Sequence, residues 1–513
     1  MRFPSSLTPK FAALVLSAGL AAAGAQVAQA APIGAYTTKG AWSFVSAPSL
    51  HPPKLHNVAP TVTRKLAPGD LLVANFPNVG ARGPMTGQGG PLMVDNKLAP
   101  VWFAPVSTSL LAANLQQETY SGQPVLVWWE GLVSSSGVTT KGQVMVVDQH
   151  YRKVAQLKAR APWVVSLHDA AISGSAIWVT VYRTVKGQNL KPYRGPARAA
   201  VLDAGVQEYD LKTGKLLYTW DALNPGHRAN LPLSASLQPA PASGSKAWDA
   251  YHVNSVQPLA NHQILLSMRN TSAAYLINTT TGRIAWSLGG RHSSFKGAPN
   301  TRFAWQHDVQ MLPGGKVTMF NDNCCSILPN GDLGKPSAPS AGTVLKLNTS
   351  AHTVSLVKNY RHRPYRYTAF LGSMQLLPQG NALVGYGSLP YLSEYSPSGR
   401  LLLDAVFPGK DQSYRARFSS TWVGTPYFPP SGAARRRGST TIVYASWNGA
   451  TQVASWQLMG GTSASSLKPI ATKSRSGFET SLTVSAAGDK VFQLIALNAQ
   501  AQPIGTSARF ATS

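Results

Sequence analysis

Two short stretches, Tyr251-His252-Val253-Asn254-Ser255 and Phe303-Ala304-Trp305-Gln306-His307-Asp308, hold the residue types best suited to chemistry on an anion. Each pairs a histidine with a carboxamide, and Arg269 stands between them in Ser267-Met268-Arg269-Asn270. An imidazole is a nucleophile and a general base near neutral pH. An arginine fork and amide N–H groups stabilise charge on oxygens around a reacting centre. The expectation is one polar pocket, with His252 and His307 as nucleophile or general acid and Asn254, Arg269, Gln306 and Asn323 binding oxygens. His168, in His168-Asp169-Ala170, is a further candidate for the same pocket. Each residue also has a structural alternative: inner-strand histidines bonded to carbonyls, Arg269 paired with Asp308 or Asp322, Trp305 packed in a sheet.

The elements that must position these residues are strands. A short apolar run recurs as 70–74, 125–129, 176–180, 264–268, 316–320 and 382–386, and each is followed by a hairpin of two further apolar strands. Alternating apolar and polar residues with Gly, Asn and Asp turns support strands throughout, and long helical periodicity is absent. Six repeats at a period above about 50 residues imply a six-bladed β-propeller. Four repeats carry a mark just before the apolar run: His168-Asp169, His252-Val253-Asn254-Ser255, His307-Asp308 and Gly372-Ser373. Aligned on their first residues, these marks put His252 and His307 at equivalent places on neighbouring inner strands, facing one channel.

The order along the chain follows. Residues 1–30 combine Arg2 and Lys10, a short apolar alanine-rich run and Ala28-Gln29-Ala30, the pattern of a secretory leader cleaved near Ala31. No later run is long and apolar enough for a membrane span, so a secreted or periplasmic location is expected. Residues 31–65 read as an extended lead-in, 66–428 as the propeller, 429–438 as a basic linker and 439–513 as a small β-sandwich of fibronectin or immunoglobulin type. Tyr414-Arg415-Ala416-Arg417-Phe418 is placed to return and join the last repeat to the first. Two Pro- and Ser-rich insertions, 224–246 and 324–340, read as loops.

The chain has 46 Lys and Arg against 19 Asp and Glu, a net charge of +27. Outside the cytoplasm this excess attracts sulfated or phosphorylated small molecules, acidic envelope polymers or anionic lipid. The basic residues are scattered and no groove-reading motif occurs, which excludes a nucleic-acid reader. The two cysteines, Cys324 and Cys325, are adjacent, leaving a strained ring, free thiols or interchain pairing open. No Cys-x-x-Cys or His-Glu-x-x-His pattern is present, so no metal and no cofactor are expected.

Residues 248–428 resemble the arylsulfotransferase family of secreted proteins, in its more divergent branch. The resemblance rests on Tyr251-His252-Val253-Asn254-Ser255, Ser267-Met268-Arg269-Asn270-Thr271-Ser272, Trp286-Ser287-Leu288-Gly289-Gly290, Phe303-Ala304-Trp305-Gln306-His307-Asp308, Tyr386-Gly387-Ser388 and Ser393-Glu394-Tyr395. It implies a propeller with a channel site and transfer of a sulfuryl group from an aryl sulfate to a phenolic acceptor without PAPS. It also implies a sulfohistidine intermediate, with histidines, an asparagine and an arginine around the sulfate. His252, His307, Asn254, Arg269 and Gln306 match family positions. Leu371-Gly372-Ser373, where the resemblance places the attacking histidine, holds none, and Asn321-Asp322-Asn323 runs into the two cysteines rather than toward an arginine. His252 or His307 then takes the role, or donor and acceptor react directly, or the protein is a non-catalytic propeller that binds an anionic ligand or envelope polymer.

Overall fold

The computed structural model describes residues 34–59, 65–77, 84–134, 138–224, 230–244, 246–325, 338–485 and 488–512. The expected leader lies outside them. Among the described residues every regular element is a strand, apart from three-residue 3-10 turns, as the periodicity required.

Five sheets built on four consecutive antiparallel strands, and a sixth four-stranded sheet of composite origin, occupy most of the chain. Sheet 2 holds Leu111–Tyr120, Gln123–Val133, Thr139–Val147 and Lys153–Leu157. Sheet 3 holds Val164–Ser173, Ala176–Gln188, Ala199–Asp210 and Leu216–Asp221. Sheet 4 runs Val253–Leu259, Gln263–Met268, Ala273–Asn278 and Ile284–Gly289. Sheet 5 runs His307–Leu312, Lys316–Asn321, Ala341–Asn348 and Thr353–Tyr360. Sheet 6 runs Ser373–Leu376, Ala382–Gly385, Tyr391–Tyr395 and Leu401–Val406. Sheet 1 is composite: Asp70–Asn75, Gly90–Val94 and Pro100–Phe103 take their first strand from Arg417–Ser419, with Leu71 opposite Phe418. The return of 414–418 expected from the sequence is therefore made.

The six apolar runs of the sequence are the second strands of these sheets. They are buried because each sheet packs both its faces on neighbours. Leu72 and Met93 meet Ala112 and Leu126, Val127 meets Ile177, and Val206 meets Val256. Leu265 meets Val309 and Val317, Phe320 meets Met374 and Val384, and Leu383 and Leu392 meet Leu71 and Val73. The succession of interfaces thus returns to its start. A cavity of about 420 Å³ is lined by the first strand of every sheet, at Gln116, Ile172, Gln257, Gln310, Gln375 and Arg417 among others.

Side-chain bonds between successive first strands give the register. Val256 N donates to Asp169 Oδ2 at 2.9 Å, Val309 N to Ser255 Oγ at 3.3 Å, Met374 N to Asp308 Oδ2 at 3.0 Å and Ala416 N to Ser373 Oγ at 2.9 Å. Asp169, Ser255, Asp308 and Ser373 are therefore equivalent. So are the residues before them: His168, Asn254, His307 and Gly372, with Tyr414 ahead of the last strand. This corrects the alignment of the sequence marks. His252 is equivalent to Trp305 rather than to His307, because it stands three residues before Ser255, whereas His307 stands one residue before the equivalent Asp308. His252 and Trp305 share left-handed backbone, φ 59° and 58°.

The segment leading into the last strand carries the charge that locks the arrangement. Arg415, 1% exposed, donates to Asp169 Oδ1 at 2.8 Å and to Asn254 O at 3.0 Å, and lies 3.6 Å from Asp308. Arg417 grips the same Asp308 with two bonds, at 2.8 and 2.5 Å.

Beyond residue 428 two further sheets enclose a separate core. Ser431–Arg437, Thr440–Ser446 and Glu479–Val484 form one, and Ser455–Gly461, Lys468–Ser474, Val491–Leu497 and Pro503–Thr506 the other. Val443 and Leu482 of the first meet Trp456, Leu458 and Phe492 of the second. The Arg435-Arg436-Arg437 run, expected as part of a linker, is the exposed end of a strand paired with 440–446. Ala434 is buried within that strand and fixes it to the core, a single small residue that a charge run conceals. The lead-in is also packed: Phe44 lies 4.3 Å from the Phe478 ring, and His56–Asn57 pairs with Leu401–Val406.

Removing one member of a buried ion network leaves the rest uncompensated, at about 3–5 kcal/mol. Arg415→Met is therefore expected to lower unfolding stability by about that amount, against less than about 0.5 kcal/mol for the exposed Arg435→Met. Urea unfolding of the two variants makes the comparison.

Candidate functional site

Above the Arg415 network, the first strands of sheets 3 and 4 and the last strand bring three aromatic side chains together. His168 lies 4.8 Å from His252 and 5.6 Å from Tyr414, ring centroid to centroid, both edge to face. His307 reaches the same tyrosine at 6.3 Å, and Tyr182 closes the side next to His252 at 6.1 Å. All three histidines are buried, at 1%, 3% and 0% exposure for His168, His252 and His307.

Two of them are backed by aspartates. His252 Nδ1 bonds Asp249 Oδ2, and Nε2 has no partner among the described residues. His307 Nδ1 lies 2.8 Å from Asp322 Oδ2, while its Nε2 accepts the Leu371 N–H at 3.2 Å. An accepting Nε2 puts the His307 proton on Nδ1 and leaves the ring neutral. Burial pushes Asp322 up, yet Thr368 Oγ1–H at 2.8 Å and the imidazole N–H keep it an acceptor. His168 holds Ser166 Oγ at Nδ1.

Burial, and then neighbouring positive charge, favour the neutral imidazole at every position. Burial lowers His252, Arg269 lowers it further, and Asp249 opposes both. His168 and His307 sit well below the ordinary histidine value, by burial first and by each other's surroundings of His252, Arg269 and Arg415. Asp249 is held below the usual carboxylate range: burial opposes this, but His252 and Arg269 prevail. The result is a set of uncharged nitrogen bases beside a permanent cation.

Arg269 is that cation. It is half-buried, its Nε donates to Asn270 Oδ1 at 2.9 Å and its guanidinium lies 4.5 Å over the Trp305 ring. It makes no ion pair among the described residues, since Asp308 is taken by Arg415 and Arg417, and Asp322 by His307 and Thr368. Its terminal N–H groups remain for an anion.

The other expected residues are placed differently. Gln306 is fully buried and spends its amide on Ser267 Oγ, Met268 O and Ala273 O, stapling sheet 5 to sheet 4. Asn254 donates to Gln306 O at 2.7 Å and keeps an unpartnered Oδ1, so it faces the cluster as an acceptor rather than as an oxyanion donor. Asn323 donates to Pro339 O at 2.8 Å in the loop after sheet 5's second strand. His362 lies outside the cluster, against Asp404 at 3.2 Å. Cys324 and Cys325 form a vicinal disulfide. No group of three metal-binding side chains occurs among the described residues. Gly372 explains the missing histidine at its position: its φ of 111° disfavours any side chain, and a Cβ there would be driven into the Phe320 ring.

Asp249, Tyr414, Tyr182 and Arg415 were not among the expected site residues. Asp249 had a local signal, a carboxylate three residues before His252. The others come from distant sequence and had none.

The sequence profile of the family described as Arylsulfotransferase (ASST) matches residues 116–408, more than half of the chain. No curated protein sequence matches significantly. Among solved structures, a protein of unknown function from Bacteroides caccae is similar over 68% of this chain and 98% of its own, at 11% identity and a TM-score of 0.38. Cobalt-substituted Synechocystis ACO is similar over 75% and 100%, at 11% and 0.37. Kuenenia stuttgartiensis hydrazine synthase is similar over 61% and 72%, at 11% and 0.34. Likenesses this distant carry no argument about function.

A histidine held neutral by the fold is protonated first in the unfolded chain. Its contribution to stability is whole above about pH 6.5 and is lost as pH falls below that value. Glu118, half-buried in the lower cavity and pushed up to about 8 by burial and Asp169, acts in the opposite sense. The histidine part is therefore read by difference. The stability lost between pH 7.5 and 5 is expected to be smaller in His168→Gln than in the parent, measured by urea unfolding at both pH values.

Proposed function

Because the chain belongs to the arylsulfotransferase family, we propose that it transfers a sulfuryl group from an aryl sulfate to a phenolic acceptor, without PAPS, through a histidine of this cluster. The observation that carries the reading is the pair of neutral, aspartate-backed imidazoles together with Arg269, which makes no ion pair among the described residues. A neutral imidazole attacks the sulfur, the S–O bond to the aryl group breaks, and the phenoxide leaves and takes a proton from solvent. The acceptor hydroxyl then gives up its proton to a neighbouring imidazole, attacks the same sulfur and breaks the N–S bond. Arg269 answers the charge on the sulfuryl oxygens throughout.

The attacking nitrogen belongs to one of the two aspartate-backed rings. His252 Nε2 has no hydrogen-bond partner among the described residues, whereas His307 Nε2 attacks only after releasing the Leu371 N–H, whose bond of 3.2 Å is long. His168 is the remaining base.

The architecture we infer for this site is a six-bladed β-propeller. Support comes from six four-stranded sheets whose interfaces return to the first, and from a cavity that every first strand lines. The two sheets beyond residue 428 we read as a β-sandwich support. The leader pattern of residues 1–30 supports a location outside the cytoplasm, where a charge of +27 would favour anionic substrates and envelope polymers.

The test is release of a chromogenic phenol from its sulfate ester, with and without added phenol. Phenol-stimulated release is expected, reduced at least about 10²- to 10⁴-fold in the alanine variant of the attacking histidine. Mass mapping of the trapped sulfohistidine to the His252 or the His307 peptide assigns the attack. Arg269→Ala is expected to cost about 10²- to 10³-fold in turnover. Absence of turnover across pH 5 to 9, with an aryl sulfate still bound, would instead make the protein an anion-binding propeller.

A further inference from the structure

The unit beyond residue 428 carries eight Lys and Arg against two carboxylates. Neither carboxylate answers that excess: Glu479 takes bonds from Ser46 N and Oγ, both at 2.6 Å, and Asp489 lies over Gly460 of the other sheet. Among the described residues, no ion pair involves this unit.

Strand alternation decides where part of the charge points. Ala434, Val443 and Leu482 lie opposite one another and face the core, so the residues on either side of them face outward. Arg435, Ile442 and Thr483 form one outward row, and Ala433, Tyr444 and Ser481 the next. Arg437, opposite Thr440, continues the first strand. Arg435, Arg437, Ser481 and Thr483 are exposed, and Ile442 and Tyr444 are half-buried. The guanidinium groups of Arg435 and Arg437 have no partner among the described residues. At the opposite edge Lys473 reaches across from the other sheet and donates to Ser481 O at 2.7 Å. Three strands about 4.8 Å apart make this face a strip about 10 Å wide, cationic along both borders.

Each feature addresses a part of one ligand. Arginine forks fit carboxylate and sulfate groups. Serine and threonine hydroxyls exchange hydrogen bonds with sugar hydroxyls, and a tyrosine offers an apolar ring to sugar rings. A membrane surface asks instead for protruding apolar side chains, and here Ile442 and Tyr444 sit low between polar neighbours. Charge on an end strand also deters pairing with another chain, but that purpose asks nothing of the two strands beside it.

We propose that the outer face of the 431–437, 440–446 and 479–484 sheet binds an acidic polysaccharide, with Arg435 and Arg437 on its carboxylate or sulfate groups and its sugar rings along Tyr444, Ile442 and Thr483. The biological setting rests on the export reading, since acidic envelope polymers lie outside the cytoplasm. The binding itself does not, and neither depends on sulfuryl transfer.

Calorimetric titration of the full protein with heparin and with polygalacturonate, at about 0.15 M salt to screen diffuse attraction, is the test. Binding of at least one is expected, and the tighter polymer identifies sulfate or carboxylate as the recognised group. The double variant Arg435→Gln and Arg437→Gln is expected to weaken it about tenfold or more. Thr483→Glu, which sets a carboxylate on the same face two strands away, is expected to do likewise. Lys212→Gln with Lys215→Gln, the same loss of charge in an exposed turn of sheet 3, is expected to change affinity less than about twofold. All these positions are exposed, so urea midpoints are expected to match the parent's. Failure to bind either polymer, equal losses in the two double variants, or an unaffected Thr483→Glu overturns the proposal, whether or not sulfuryl transfer is observed. Tighter and equally variant-sensitive binding to phosphatidylglycerol vesicles also overturns it, making the face a membrane contact.

Discussion

One guanidinium carries much of the structure's logic. Arg415 comes from the segment leading into the last strand before the C-terminal sheets, yet it is bonded to Asp169 of sheet 3 and to the Asn254 carbonyl of sheet 4, and lies beside Asp308 of sheet 5. Burying a cation is unfavourable unless it is paired and hydrogen-bonded, so the charge can be tolerated only where these sheets converge. Arg417, two residues on, holds Asp308 from the other side while its strand supplies the missing first strand of sheet 1. The same segment thus joins the two ends of the repeat array and neutralises its centre.

This arrangement divides the interior into two environments. Below the network the first strands line a polar cavity whose glutamines are largely spent on backbone: Gln257 bonds Met311 on both its N and O, and Gln375 bonds Phe418. Above it, Asp308 is committed to Arg415 and Arg417, Asp322 to His307 and Asp249 to His252, and Arg269 makes no ion pair among the described residues. That asymmetry is what makes the upper side suited to an anion. Neutral imidazoles follow from the same cause, since burial and two nearby guanidinium groups both oppose a further positive charge.

Backbone conformation is unusual in the same region. His252, Trp305, Asp308, Asn323 and Leu371, none of them glycine, all adopt left-handed φ between 52° and 68°. Such residues persist only where their surroundings over-determine them, and they concentrate at functional sites. Here the left-handed turn at His252 accompanies its Nδ1 bond to Asp249, and the one at Leu371 accompanies its N–H bond to His307.

By themselves, the residues of this chain determined the all-β class, the six repeating units and the family, and singled out His168, His252, His307 and Arg269 as candidates, because apolar periodicity and short motifs are local properties. Only the tertiary structure decided which of them are equivalent. A two-residue difference in the His252 mark is invisible without the strand register, so His252 and His307 looked like counterparts until the bonds from Val309 to Ser255 and from Met374 to Asp308 aligned His307 with Asn254. It also turned Gln306 from a ligand-binding amide into a staple, because an amide's partners depend on which sheet packs beside it. Finally, it brought Asp322, Tyr414 and Arg415 to the histidines from distant parts of the chain, a convergence that follows from the last strand pairing with the first sheet and not from any motif.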